Sequence, residues 1–445
     1  MESRCKEEKM TFFYLKPDRY FKLFLFCLSL FFISGCAGTE KLKPKIENNL
    51  EPPSNRLFSS SSIRQDDIPE RIILNLTENP SAGQAVTWRT KAAVSSPQAQ
   101  IALATEGSDF YEKARTIHAV TEMIHVGDET VVHHHSVVFK SLEPDTIYAY
   151  RTGDGQHWSE WNQFKTACKT HKPFKFIYFG DPQNDIKSMC SRIFRAAYKK
   201  APDADLWHFV GDLVNNGDVD EQWGEFFDAF GWIARMTPMI LLPGNHEYPD
   251  KRFFQGNDYQ LLHLWRPHFT LPENGPDGLK ETVYFIDYQG VRFVMLNGNE
   301  KLEEQAAWLD AILSLNTQPW TIAAIHQPVY STGKRRDNAL LQDLLIPIFD
   351  KYSVDLVLQG HDHTYSRTYK LRNGIRVDDN EKGTVYVISV SGPKNYPVNK
   401  RYGHLMEKMG TGRQLFQVIS VDKNRLHYES FNALGELFDS FELNK

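Results

Sequence analysis

Carboxylate, amide and imidazole side chains follow five apolar runs of this chain. In chain order the polar segments are Gly180-Asp181-Pro182-Gln183, Gly211-Asp212, Gly244-Asn245-His246-Glu247, Ile325-His326-Gln327-Pro328 and Gly360-His361-Asp362-His363. Oxygen and nitrogen donors without a thiolate suit Zn, Fe or Mn. Two metal ions about 3.5–4 Å apart lower the pKa of a bound water and neutralise phosphoryl oxygens. The residue types therefore favour a binuclear site that hydrolyses phosphate esters.

Each polar segment follows an apolar run that has the length and composition of a buried strand. The predicted strands are Phe174–Phe179, Leu206–Val210, Met239–Leu242, Thr321–Ile325 and Val354–Leu358. Segments with helical periodicity alternate with them: Ser188–Lys199, Glu221–Ile233, Glu303–Leu315 and Asn338–Tyr352. This alternation predicts an α/β domain over residues 172–445. An open α/β sheet binds ligands at the carboxyl ends of its strands, where these donors lie.

The donors divide into two metal positions. A binuclear site needs a bridging carboxylate, and Asp212 is the candidate. We expect Asp181 and His363 to bind the first metal. We expect Asn245, His326 and His361 to bind the second, with the neutral amide oxygen of Asn245 leaving positive charge for the metal to use. His246 can act as a general acid toward the leaving oxygen or stabilise the phosphoryl charge.

Other polar residues are weaker candidates. Arg335 and Arg336 follow the His326 strand, and one could clamp phosphate, although a solvated basic turn is equally consistent. Lys394 lies in a loop after the predicted strand Val385–Val390 and could contact substrate. The triplet His133–His135 lies in a strand, where alternate side chains face opposite ways, which favours a structural role. His208 is expected in the core, and His263 and His268 on the surface.

The N-terminal residues have the pattern of a targeting segment. Lys16, Arg19 and Lys22 precede an apolar run at 23–33 that is short for a membrane span. The run ends Ile33-Ser34-Gly35-Cys36, which resembles a bacterial lipobox. We expect residues 1–36 to be a signal peptide and Cys36 to carry lipid, which makes the chain an exported membrane lipoprotein. An ordinary signal peptide or an uncleaved anchor remains open. Residues 37–65 are predicted to be a flexible linker.

Composition sets broad limits. The chain has 445 residues with 41% hydrophobic and 24% charged side chains and a net charge of −5, which is ordinary for a globular protein and implies no nucleic-acid partner. Short alternating runs between turn residues predict an all-β sandwich of fibronectin or immunoglobulin type at 66–168. Cys168 and Cys190 remain after processing and could form a disulfide, although free thiols are favoured.

The order of these motifs resembles that of the calcineurin-like metallophosphoesterase superfamily, and within it the purple acid phosphatases. The resemblance covers residues 66–445 and is strongest at Gly360–Arg367. It implies a β-sandwich flanked by helices in four αββα layers, preceded by a domain like fibronectin type III. It also implies a phosphatase-like hydrolase with two metal ions.

Two positions depart from that family pattern. Purple members have a tyrosine where this chain has Asn215, and its tyrosinate binds ferric iron and gives the colour. Most other superfamily members have Asp-x-His at the first motif, whereas this chain has Gln183 in place of the histidine. The amide oxygen of Gln183, Asn215 or water could complete the first metal's shell. The metal pair, Fe, Zn or Mn, is therefore open.

Taken together, the sequence predicts a lipid-anchored phosphohydrolase that cleaves phosphomonoesters, with a metal-activated hydroxide attacking phosphorus. A phosphodiesterase or nucleotidase would use the same site. A surface binding protein that keeps a weakened metal site is the alternative from another class.

Overall fold

The structure is a computed structural model that describes residues 65–127, 129–253, 259–334 and 336–445. The predicted signal peptide with Cys36, the predicted linker up to residue 64, and Arg335 lie outside the described residues. The described residues form one compact unit. None of the helices in the described ranges has the length and apolar character needed to cross a membrane.

The first part of the unit is all-β, as predicted. Its strands are β1 (Glu70–Leu76), β2 (Gly83–Thr90), β3 (Gln98–Leu103), β4 (Arg115–His118), β5 (Val120–Val126), β6 (Thr130–Lys140), β7 (Ile147–Gly153) and β8 (Asn162–Lys165). One sheet contains β1, β2, β6 and β5, and the other has the order β4-β3-β7-β8. Trp88, Phe139 and Tyr150 are fully buried in the core between them.

The second part alternates strands and helices. Its strands are β9 (Phe174–Phe179), β10 (Leu206–Val210), β11 (Met239–Leu242), β12 (Tyr284–Tyr288), β13 (Val291–Leu296), β14 (Trp320–Ile325), β15 (Leu356–Gln359), β16 (Tyr365–Thr368), β17 (Leu371–Arg372), β18 (Ile375–Arg376), β19 (Val385–Ile388), β20 (Met406–Gly410), β21 (Leu415–Val421), β22 (Arg425–Asn432) and β23 (Leu437–Asn444). Its helices are α1 (Ser191–Lys200), α2 (Asp220–Phe230), α3 (Trp265–His268), α4 (Leu302–Ser314) and α5 (Ala339–Tyr352). All five strands predicted ahead of the polar segments are present.

Two sheets pack face to face between two helical layers, which confirms the predicted four-layer fold. Phe176 of β9 meets Phe293 of β13 across the interior, with ring centroids 5.2 Å apart. On the outer face of the first sheet, Phe194 of α1 packs against Phe209 of β10. Helices α4 and α5 cover the second sheet, of order β12-β13-β14-β15-β19-β16-β20, around a separate apolar cluster that includes Leu309.

The all-β part is joined to the α/β part through the backbone. β1 pairs in parallel with β11, with Asn75 opposite Met239, so β1, β2, β6 and β5 extend the first sheet to ten strands. The Asn75 side chain strengthens this seam by donating to the carbonyl of Met239 over 3.3 Å. The sequence did not indicate this pairing, because it joins strands that are 164 residues apart.

A buried ionic network supports the same seam. Asp220 at the start of α2 accepts hydrogen bonds from Arg71, at 2.6 Å, and from Arg89, at 2.7 Å. Arg71 also contacts Nε2 of His268 at 3.0 Å. The expectation that His268 lies on the surface is wrong, because its ring is stacked on Trp223 and is only 1% exposed. His263 is exposed, as expected.

Several weaker sequence candidates have structural roles. His134 contacts the carbonyl of Pro267, and His135 lies between Thr90 and Thr121, so the histidine triplet belongs to strand packing. Cys168 and Cys190 are free thiols, as favoured.

His208 is a core residue, as predicted, and neither of its ring nitrogens has a hydrogen-bond partner. Burial lowers its pKa to about 3. The unfolded chain therefore takes up a proton below about pH 6.5 that the folded chain does not, so His208 costs folding free energy as the pH falls.

We predict that His208→Leu stabilises the metal-free protein, and does so more in acid. Removing an unpartnered buried polar group should gain about 1–3 kcal/mol at pH 7.5. The gain should increase by about 2 kcal/mol at pH 5, because protonation of His208 in the unfolded chain lowers the free energy of unfolding of the wild type but not of the variant. Urea unfolding in excess chelator at both pH values measures this. A gain that is the same at both would contradict the argument, and His118→Leu on the exposed β4 is the control.

Candidate metal centre

The predicted metal ligands meet where the carboxyl ends of both sheets converge. Asp181, Asp212 and Asn245 follow β9, β10 and β11 of the first sheet. His326 follows β14 of the second sheet, and His361 and His363 follow β15. These strands run parallel within each sheet, so their ends face one crevice.

Two groups of ligand atoms share one carboxylate. Asp212, His326 and His361 form one group, and Asp181, Asp212 and His363 form the other, with the ligand atoms of each group within 4.8 Å of one another. Asp212 is therefore placed to bridge two metal positions. The groups match the predicted second and first metal positions.

Acceptor atoms crowd around Nε2 of His326. This nitrogen lies 3.2 Å from Oδ2 of Asp212, 3.3 Å from Oδ1 of Asn245 and 3.2 Å from Nδ1 of His361. Its other nitrogen, Nδ1, donates to the carbonyl of Val210 at 2.8 Å, which leaves Nε2 free as a ligand. Ligand atoms that converge in this way need a positive charge between them, which a proton on Nε2 or a metal ion can supply, so the donor set fits a metal ion.

The electrostatics of the pair are coupled. Burial disfavours the charged form of His326, but the adjacent Asp212 carboxylate outweighs burial and raises the His326 pKa to about 9. Burial also disfavours ionisation of Asp212, yet His326 holds its pKa well below the ordinary value. Asp212 is therefore an ionised carboxylate, as a bridging ligand requires.

The ligands lie on unusual backbone conformations. Asp181, Asp212, His361 and His363 have φ values of 44°, 49°, 70° and 51°, in the left-handed region that non-glycine residues seldom adopt. Such strain persists only where the surroundings impose it, and it concentrates at functional sites. No local sequence pattern indicated this strain.

Gly360 lets two ligand loops touch. A Cβ at Gly360 would lie 2.3 Å from Oδ2 of Asp181. Because Gly360 has no Cβ, the backbone can approach Asp181. The next amide, His361 N–H, lies 2.8 Å from Oδ1 and 2.7 Å from Oδ2 of Asp181. The first-sheet ligand is therefore oriented by a second-sheet loop.

Glu247 holds the first-sheet loops together. Its buried carboxylate accepts hydrogen bonds from the amides of Asp212 and Gly244 at 3.0 and 2.7 Å, and from those of Leu213 and Val214 at 2.8 and 3.3 Å. Burial and the nearby Asp212 carboxylate raise its pKa to about 7 against these donors. Glu247 therefore positions ligands without being one.

Asp362 does the same for the second sheet, although the sequence argument used only the histidines beside it. Its buried carboxylate accepts from the amides of Thr332 and Gly333 at 2.6 and 2.8 Å. Arg336 donates to Asp362 over 3.0 Å and also to the carbonyl of His361. Arg336 is thus tied to the ligand loop, with its side chain 26% exposed.

Gln183 and Lys394 lie beside the first metal position. The amide nitrogen of Gln183 is 2.5 Å from Oδ2 of Asp212 and 3.5 Å from Nε2 of His363. Its oxygen accepts from Lys394 Nζ at 3.4 Å. Gln183 thus presents a donor, not its oxygen, to the predicted ligands, and its role as a ligand stays a prediction. Asn215 accepts from Asn184 through its side-chain oxygen, 2.9 Å away.

His246 faces the cleft with a defined tautomer. Its Nδ1 donates to the carbonyl of Asn215 at 2.6 Å, which leaves Nε2 directed into the site, 3.9 Å from Oδ2 of Asp212. The cleft itself has a volume of about 1090 Å³ and is lined by His246, Asn245, His361 and Tyr248 among others. A substrate's leaving group can therefore lie against His246.

Comparison with known proteins agrees with this geometry. Residues 174–365 match the model of the calcineurin-like phosphoesterases, and residues 69–166 match that of the purple acid phosphatase N-terminal domain. The chain carries a calcineurin-like metallophosphoesterase domain behind a purple acid phosphatase N-terminal domain. It is a metal-dependent phosphoric ester hydrolase with a binuclear metal centre, and it is similar to the purple acid phosphatases.

The relatives are distant in sequence but cover most of the molecule. Acid phosphatase type 7 of Mus musculus is 26% identical over 73% of this chain and 77% of its own length. Purple acid phosphatase 21 of Arabidopsis thaliana is 26% identical over 79% of this chain and 77% of its own. The structure of purple acid phosphatase PPD1 from yellow lupin superimposes with a TM-score of 0.69 at 20% identity, covering 85% of this chain and 74% of that one.

We predict that His246→Ala slows hydrolysis most for esters with poor leaving groups. A positioned general acid contributes about 10²–10⁴-fold, and it matters least when the leaving oxygen is already a stable anion. Steady-state kcat on 4-nitrophenyl phosphate and on an alkyl phosphate measures the difference. Equal losses on both esters would leave His246 only a role in binding the phosphoryl group. His118→Ala is the control.

Proposed function

We propose that this hydrolase cleaves phosphomonoesters and works outside the cytoplasm, held to a membrane by lipid on Cys36. The observation that carries the chemistry is the sharing of Asp212 by two ligand groups, Asp212-His326-His361 and Asp181-Asp212-His363. When bound, two metal ions there supply an activated water and charge neutralisation for the phosphoryl group.

The chain's own residues orient the substrate. Arg336 and Lys394 approach the ring of Tyr396, at 5.9 and 5.6 Å, and that ring packs 5.0 Å from His363. Two cations beside the ligands suit a phosphomonoester, because it carries one more negative charge than a diester. Nε2 of His246 lies 3.9 Å from Oδ2 of Asp212, where it can hold a proton for the leaving oxygen.

The test of this function measures the metal content of the protein and its turnover of a monoester and a diester. We expect two metals per chain and faster turnover of 4-nitrophenyl phosphate than of its bis-ester. Asp212→Asn should remove a bridging charge from both positions and lower kcat by roughly 10³-fold. Mass spectrometry and steady-state kinetics measure both, with Asp203→Asn, in an exposed ion pair, as control.

Each result of that experiment separates the candidates. Preference for the bis-ester would replace the phosphatase with a diesterase. Metal binding without turnover of either ester would favour a binding protein with a weakened site.

The proposed location rests on Lys16, Arg19, Lys22, the apolar run and the lipobox-like Ile33-Ser34-Gly35-Cys36. We expect Cys36→Ser to block lipid attachment and to move the mature chain out of the membrane fraction of a bacterial host. Labelling with a palmitate analogue and fractionation measure this. A labelled Cys36→Ser protein would contradict the assignment, and Cys27→Ser, within the apolar run, is the matched control.

A further inference from the structure

We propose that the carboxamide of Gln183, held by Lys394, engages the ligands of the first metal position and weakens metal binding there, so that the second position fills first. The proposal rests on the binuclear centre described above and concerns its regulation. It is carried by the contacts that Gln183 makes with two of the three ligands of the first position.

The position of the amide nitrogen is the first argument. It lies 2.5 Å from Oδ2 of Asp212 and 3.5 Å from Nε2 of His363, which with Asp181 make up the first ligand group. Zinc lies roughly 2.0–2.2 Å from carboxylate oxygen and imidazole nitrogen ligands. The amide thus borders the volume that a metal bound to these atoms needs. A metal can enter only after the hydrogen bond from Gln183 to Asp212 is broken.

The orientation of the amide is fixed by both of its neighbours. The ammonium of Lys394 can only donate, so the atom 3.4 Å away must be the oxygen of Gln183. An ionised Asp212 can only accept, so the atom facing it must be the amide nitrogen. Each partner alone requires the same orientation, and Gln183 is fully buried, where no water competes for these bonds. To offer its oxygen to a metal, the amide must rotate and lose both partners.

No side-chain amide lies among the ligands of the second position. His326, Asn245 and His361 bring ligand atoms together there, the donor on His326 Nδ1 points away to Val210, and a metal has to displace only the proton between His326 Nε2 and Asp212. Two metal positions that share Asp212 therefore differ in affinity because of one side chain at the first. The difference follows from Gln183, which departs from the common motif, and from Lys394, which holds its amide.

Calorimetric titration of the metal-free full chain with Mn²⁺ tests the proposal. The wild type should bind in two unequal steps. Gln183→Ala keeps the Lys394 charge but removes the amide, and should tighten the weaker step by on the order of tenfold to a hundredfold, as loss of a hydrogen bond to a charged group implies. Lys394→Met should tighten the same step, and Lys400→Met, in the same loop, should change neither step. Thermal unfolding checks that each variant is folded.

Three outcomes would overturn the proposal. If Gln183→Ala weakens the weaker step, Gln183 is an oxygen ligand. If Lys394→Met tightens that step and Gln183→Ala does not, the lysine acts by charge alone. If neither variant changes it, the amide does not compete with the metal. Failure of the binuclear centre is distinguished by Asp212→Asn, which would then bind as much Mn²⁺ as the wild type.

Discussion

The crowding of ligand atoms around Nε2 of His326 is the constraint on which the rest of the site depends. Oδ2 of Asp212, Oδ1 of Asn245 and Nδ1 of His361 all lie within 3.3 Å of Nε2 of His326. Asp212 and His326 are buried, so these atoms are poorly solvated and need a positive charge, a proton or a metal ion, between them. A polypeptide keeps such an arrangement only if its loops are fixed from elsewhere.

Two buried carboxylates that are not metal ligands do most of that fixing. Glu247 gathers backbone amides after β10 and β11, and Asp362 gathers those of the loop at 331–333. Hydrogen bonds from backbone amides to a carboxylate are stronger than neutral ones, which lets them hold ligand residues in left-handed backbone conformations. The two sheets thus use the same device on either side of the centre. The chain seam at β1 and β11 adds rigidity near the loop that carries Asn245.

The sequence was sufficient for the parts of this centre that local pattern determines. An apolar run followed by a polar residue locates a strand and its end, so the strands before Asp181, Asp212 and His326 were predicted with almost their observed bounds. Features that depend on distant partners were not accessible. The surface assignment of His268 failed because Trp223 and Arg71, which enclose it, come from remote segments. The orientation of Gln183 depends on Lys394, 211 residues further on, and no local pattern could reveal it.

The first metal position also differs from the purple pattern in its charge. A tyrosinate there would add a negative ligand suited to a trivalent ion, whereas this chain has the neutral Asn215, engaged by Asn184. The protein ligands that remain are the Asp181 carboxylate, one shared carboxylate and a neutral imidazole, with Lys394 and Arg336 as nearby cations. The neutral Asn215 in place of a tyrosinate and the two nearby cations all make the position less negative. A less negative position loses more Coulomb attraction for a trivalent ion than for a divalent one, because the attraction is proportional to the product of the charges. The same side chains that make the first position less negative therefore reduce its preference for the ferric ion that the tyrosinate serves.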